Sequence, residues 1–275
     1  MQPFPAIAGL VCAFLSATSA FAADPAVDVG ATLQKIATGE HRSPENIARN
    51  QFRHPVETLS FFGIRPDMTV VEISPGGGGW YTEILAPFLR DQGKLIAASY
   101  DASSEVEYYR VNAAKYLDKL KARPDLYDRV TVTEFMPPKK SVLATDGSVD
   151  MVVTFRNVHN WIEAGNEQQV FSAFFKALKK GGILGLVEHR GKPENVGKKW
   201  AELGYVPEAE TIRLAEQAGF KLVERSEVNA NPKDTKDYPK GVWTLPPTLE
   251  EGEKDREKYL AIGESDRMTL KFIKP

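Results

Sequence analysis

Five stretches of the chain hold side chains able to do chemistry, and each follows an apolar run. Glu72 stands just before Ser74-Pro75-Gly76-Gly77-Gly78-Gly79, where glycines let backbone amides approach a ligand without Cβ atoms in the way. Asp101 closes the next apolar run; its two carboxylate oxygens suit a pair of neighbouring hydroxyls, or the N-cap of a following helix. Glu134 precedes Phe135-Met136. Arg156-Asn157-Val158-His159-Asn160-Trp161 gathers polar and aromatic groups after a wholly apolar segment. His159 is the best base on offer, because an imidazole titrates near working pH; the other reading has His159 and Asn157 capping the next helix. Glu188-His189-Arg190 supplies a second such exit. Arg156 or Arg190 suits a carboxylate or phenolate, although Glu188 and an arginine also suit mutual neutralisation.

The elements that must position these groups alternate regularly. Strands are expected at 68–73, 94–100, 130–135, 149–155, 183–188, 220–228 and 268–273, with helices at 80–90, 105–121, 167–179 and 207–218. Continuous apolar strands separated by helices imply an α/β fold around a mostly parallel sheet buried on both faces. Ligands of such sheets sit beyond the carboxyl ends of the strands, where all five stretches lie.

The glycine loop is selective. Tyr81 stands where a dinucleotide fingerprint needs its third glycine, and no Gly-Lys-Ser/Thr phosphate loop exists. An acidic strand end before a glycine-rich turn resembles motif I of the class I S-adenosylmethionine (SAM)-dependent methyltransferases, with Ser74 at the first glycine position. The stretches after the fourth and fifth strands, with Gly263-Glu264-Ser265-Asp266-Arg267-Met268, resemble a group of bacterial methyltransferases that carry signal peptides. The resemblance implies a Rossmann-like methyltransferase sheet with an antiparallel last strand, and SAM as cofactor. It places Glu72, Ser74, Gly76 and Gly78 around the methionine part, Asp101 on the ribose and Glu134 near the adenine. Arg156, Asn157, His159 and His189 are then the candidate catalytic groups.

Composition narrows the partners. Thirty-five Lys and Arg against 37 Asp and Glu leave a formal charge of -2 with no basic run, which argues against a nucleic-acid substrate and for a small molecule. Residues 1–22 are apolar and end Ala20-Phe21-Ala22, a secretory signal expected to be cut after Ala22, giving a periplasmic or secreted protein with no stable membrane association. The sole cysteine, Cys12, lies in this segment, so no thiol chemistry is expected afterwards. No metal is indicated, because His159 and His189 are expected on different strands without ligand spacing, and no segment specifies an oligomeric state. Residues 23–60 read as a helical segment of two or three short helices that could lid the cofactor pocket, and 61–275 as the methyltransferase-like domain. Within that domain, 229–267 reads as a substrate-side cover with Trp243 packed inward.

The leading expectation is SAM-dependent methyl transfer to a small acceptor at O, N or C. A second is an exported, non-enzymatic ligand-binding protein on a methyltransferase scaffold, since SAM is made in the cytosol. A third is a hydrolase on the same fold that uses the histidines without SAM.

Overall fold

The sheet is built from β1 (Thr69–Ile73), β2 (Lys94–Ser99), β3 (Thr131–Glu134), β4 (Val149–Phe155), β5 (Leu178–Gly191), β6 (Val206–Pro207), β7 (Lys221–Ser226) and β8 (Arg267–Ile273). This is a computed structural model, and it describes Met1 and residues 28–275. Apart from Met1, the segment expected to be a signal peptide lies outside the described residues; among those described, no helix is long and apolar enough to cross a membrane. Strand order is β3-β2-β1-β4-β5-β8-β7, with β6 beside the end of β5. β1 to β5 pair in parallel, and β8 runs antiparallel between β5 and β7.

Side chains alternate across each strand, so Val71 and Val152 enter one core while Val70, Met151 and Val153 enter the other. Both faces are therefore dry, which explains the unbroken apolar runs. β5 begins earlier than the sequence suggests. Gly181 N–H donates to Lys274 O and Lys274 N–H to Gly182 O, which draws the Lys-Gly stretch into the sheet rather than the preceding helix.

Four helices precede the sheet: α1 (Val29–Ala37), α2 (Pro44–Ala48), α3 (Asn50–Arg53) and α4 (Pro55–Phe62). Ser43 Oγ accepts from Asn46 N–H at 3.2 Å with Pro44 in the first turn, a start visible in the sequence. Phe62 of α4 lies so close to Gly185 of β5 that a Cβ there would meet its ring at 2.5 Å. Further along come α5 (Thr82–Leu89), α6 (Glu107–Ala122), α7 (Pro124–Tyr127), α8 (Val158–Ala164), α9 (Glu167–Ala177), α10 (Lys198–Ala201), α11 (Glu208–Gln217) and α12 (Arg256–Ile262). Residues 229–267 pack on their own small core of Tyr205, Tyr238, Val242, Leu245 and Tyr259.

Candidate functional site

A cavity of about 490 Å³ opens at the carboxyl ends of β1, β2 and β4, a volume suited to a nucleoside-sized ligand. Ser74, Tyr100, Phe135, Met136, Asn157 and Trp243 are among its lining residues. None of the lining residues comes from 28–62; of the two readings the sequence allows, arginines that tie the N-terminal segment down or a segment that lids the pocket, the contacts present are of the first kind. Those helices bind α5 instead: buried Arg42 and Arg53 hold the Trp80 ring between them, each guanidinium 4.6 Å from its centroid.

The loop after β1 turns sharply. Ser74 sits at φ 46°, in the left-handed region glycine occupies without strain, while its N–H still donates to Ala98 O at 2.9 Å. Gly76 follows at φ 68°, and a Cβ on Gly76 or Gly78 would meet nothing within 4 Å, so this backbone faces open space. Glu72 lies elsewhere. Its carboxylate is 2% exposed and accepts from Thr82 Oγ1 at 2.6 Å, and burial pushes its pKa up to about 7. The acidic residue thus fastens the first turn of α5 and does not line the cavity.

At the end of β2, Lys140 and Ser103 hold the Asp101 carboxyl down to about 2. Oδ1 accepts from Ser103 N–H at 2.8 Å and lies 2.9 Å from Lys140 Nζ, whereas Oδ2 makes no hydrogen bond among the described residues. Val106, not Asp101, occupies the N-cap position of α6; Asp101 closes a local turn through Oδ1, so one oxygen rather than two is available for a ligand hydroxyl. Glu134 is tied to Lys140 as well, and accepts from Ala102 N–H at 3.0 Å. It braces the ends of β2 and β3, while Phe135 and Met136 line the cavity in its place.

The exits of β4 and β5 converge on one carboxylate. Glu188, wholly buried, accepts from Val158 N–H at 2.5 Å, His189 N–H at 2.8 Å and His159 Nδ1 at 3.0 Å. A carboxylate accepting from Nδ1 makes that nitrogen the donor and leaves Nε2 with its lone pair. His159 Nε2 is buried and has no hydrogen-bond partner among the described residues. Its ring lies 5.6 Å from that of His189 and 5.7 Å from that of Trp243. His189 is held neutral by burial, with the neighbouring His159 and arginines adding to the effect, and its Nδ1 is 2.5 Å from Ser265 Oγ. Asn157 Nδ2 donates to Ile73 O and Thr154 Oγ1, tying β4 to β1 at the cavity wall.

Sequence separation argued against a metal here, but the fold corrects that premise: His159 stands on α8, and ligand atoms of His159, Glu188 and His189 fall within 4.8 Å of one another. Glu188 is nevertheless saturated by N–H donors, so the cluster is a hydrogen-bonded Glu–His pair rather than an open ligand set. Arg190 forms surface ion pairs with Glu227 and Glu208. Arg156 stands at φ 63°, and its side chain has no ion pair or hydrogen bond among the described residues. Sequence reasoning missed Tyr100, Tyr108 and Tyr109, whose rings pack together at the cavity mouth; the Tyr-Asp and Tyr-Tyr pairs were the available signal.

No family model matches the sequence, and neither does any curated protein. Solved structures do. A SAM-dependent methyltransferase from Aquifex aeolicus matches at TM-score 0.53 and 16% identity, over 90% of this chain and 98% of that one. A geranyl diphosphate methyltransferase in complex with SAM matches at 0.52 and 13%, over 88% and 95%. The cyclase SpnF matches at 0.53 and 18%, over 86% and 85%. At these identities the likeness concerns the fold, which is that of the class I SAM-dependent methyltransferases.

Proposed function

We propose that this protein is a SAM-dependent methyltransferase acting on a small-molecule acceptor. The observation that carries the reading is the cavity beyond β1, β2 and β4, lined by Ser74, Tyr100, Phe135 and Met136, with the open-faced glycine loop following Ser74 and Asp101 following Tyr100 in the chain. These residues fit the cofactor. The backbone amides of Gly76 and Gly78, unspent among the described residues, would receive its carboxylate end, Asp101 Oδ2 one ribose hydroxyl, and the lining residues Tyr100, Phe135 and Met136 the flat base. When bound, SAM supplies an electrophilic methyl group.

The protein's own part is positioning and proton removal. Glu188 fixes the His159 tautomer and orientation, and Nε2, with no partner to release, is the place for the acceptor's proton. Trp243 lines the main cavity and packs against both histidines, so its ring must shift for an acceptor to reach the buried Nε2.

Calorimetry with SAM and S-adenosylhomocysteine tests the cofactor, with micromolar binding expected. Absence of heat with either sinks the reading. For the base, His159→Ala should lower labelled-methyl transfer into a small-molecule extract by roughly 10²-fold or more. Its cofactor affinity should stay close to wild type. Loss of both would make the histidine structural, and cofactor binding without turnover in the wild type would favour the ligand-binding alternative.

A further inference from the structure

Beside the main cavity, the end of β4 faces a second and much smaller space, and consecutive residues line the two: Asn157 the first, Arg156 the second. Three arginines, Arg53, Arg156 and Arg267, line the small space together with Tyr81, Phe155 and Asn229. Arg49 adjoins Arg53 and Arg267 through the carboxylate these three share, Glu264. Arg53 and Arg267 are 4% and 3% exposed, and Glu264 is 2% exposed.

Three guanidinium groups thus share one carboxylate, and Arg156 has none among the described residues. Nearby side chains add no negative charge: burial raises the Tyr81 hydroxyl to about 12, and it donates to Arg53 O, while His189 is neutral. Arginine keeps its proton in proteins, so the excess positive charge stays.

Its donors are also unspent. Arg156 makes no side-chain hydrogen bond, Arg53 uses only Nε, and Arg267 Nε is buried without a partner, all among the described residues. Arg53 and Arg267 are buried with only the shared Glu264 to balance them, an uneven pairing that is costly, and the half-buried Arg156 adds a third charge. Arg156 is in addition held at φ 63°, a strained backbone for a long side chain that folding alone does not require.

We infer that Arg53, Arg156 and Arg267 form an oxyanion subsite that receives the carboxylate or phosphate of the methyl acceptor. That the anion belongs to an acceptor rests on the proposed function; the anion site itself does not. The space has room for one water-sized centre, about 10 Å³, which admits a single anionic oxygen. Arg156, having no bond to give up, is the side chain free to move and admit the rest of the group.

The test titrates the full chain with sodium acetate and with inorganic phosphate at constant ionic strength, following the unfolding temperature and heat of binding, with chloride as the non-specific control. Each titration is run with and without S-adenosylhomocysteine. The wild type should show saturable stabilisation by at least one oxyanion and little by chloride. Arg156→Gln should bind that oxyanion at least 10-fold more weakly, while its unfolding temperature without anion equals or exceeds the wild type's. Arg213→Gln, an exposed arginine paired with Glu210, should behave as wild type. An unsaturable response, or the same response in Arg156→Gln, overturns the inference. So does an Arg156→Gln protein that fails to fold, since that assigns the side chain a structural role. Oxyanion binding without cofactor binding would leave the subsite standing and remove the methyltransferase reading; the reverse would do the opposite.

Discussion

Glu72 and Asp101 are both acidic strand-end residues, and their surroundings push them in opposite directions. Burial raises Glu72 to about 7, while Lys140 and Ser103 lower Asp101 to about 2. The Glu72 shift has a stability consequence with a definite sign. Its folded carboxyl takes up a proton at higher pH than the unfolded one, so its contribution is complete below about pH 4.5 and lost as pH rises through about 7. The rise to about 7 corresponds to about 3 kcal/mol. Glu72→Gln should remove this fall, so the stability difference between variant and wild type in urea unfolding should shift towards the variant by about that amount between pH 5 and pH 8. A difference independent of pH would mean that Glu72 is ionised in the fold throughout. That an acidic residue ends β1 was legible in the sequence. That it serves Thr82 rather than a ligand was not, because the direction of a side chain at a strand end depends on which helix packs over it.

At the scale of elements, α4 and β5 meet where Gly185 leaves room for the Phe62 ring. Gly185→Ala should overpack this contact and cost about 1–3 kcal/mol, measured by denaturant unfolding, with the loss relieved when Phe62→Leu is added. A neutral Gly185→Ala would show that α4 shifts freely and does not depend on this fit. Strand and helix periodicity predicted β1, β2, β4 and β8 within a residue or two, because strands buried on both faces must be apolar throughout. The N-terminal helices and the early start of β5 were less legible. Their limits are set by partners far away in sequence, Trp80 and Glu83 in one case and Lys274 in the other.

Across the whole molecule, Glu264 joins the chain's two ends. It pairs with Arg49 and Arg53 of the N-terminal helical region and with Arg267 at the start of β8. Removing it leaves buried arginines without their shared counter-charge, so Glu264→Ala should cost about 3–5 kcal/mol in urea unfolding. Hydrogen exchange should quicken first in α2 and α3. A loss below about 1 kcal/mol would show that apolar packing of α1 and α4 holds the N-terminal region on its own.

The sequence by itself determined the alternation of elements, the loop that exposes backbone at 76–79, and the strand exits where a ligand belongs. These are local facts, fixed by periodicity, glycine and the burial of a parallel sheet. Only the tertiary structure decided how the candidate groups combine. It turned Glu72 inward, gave half of Asp101 to Lys140 and Ser103, and brought Glu188 against His159. It also gathered Arg53, Arg156 and Arg267 around one small space. Charge balance and hydrogen-bond satisfaction are summed over neighbours in space, and those neighbours come from segments up to 215 positions apart. No window of sequence contains that sum.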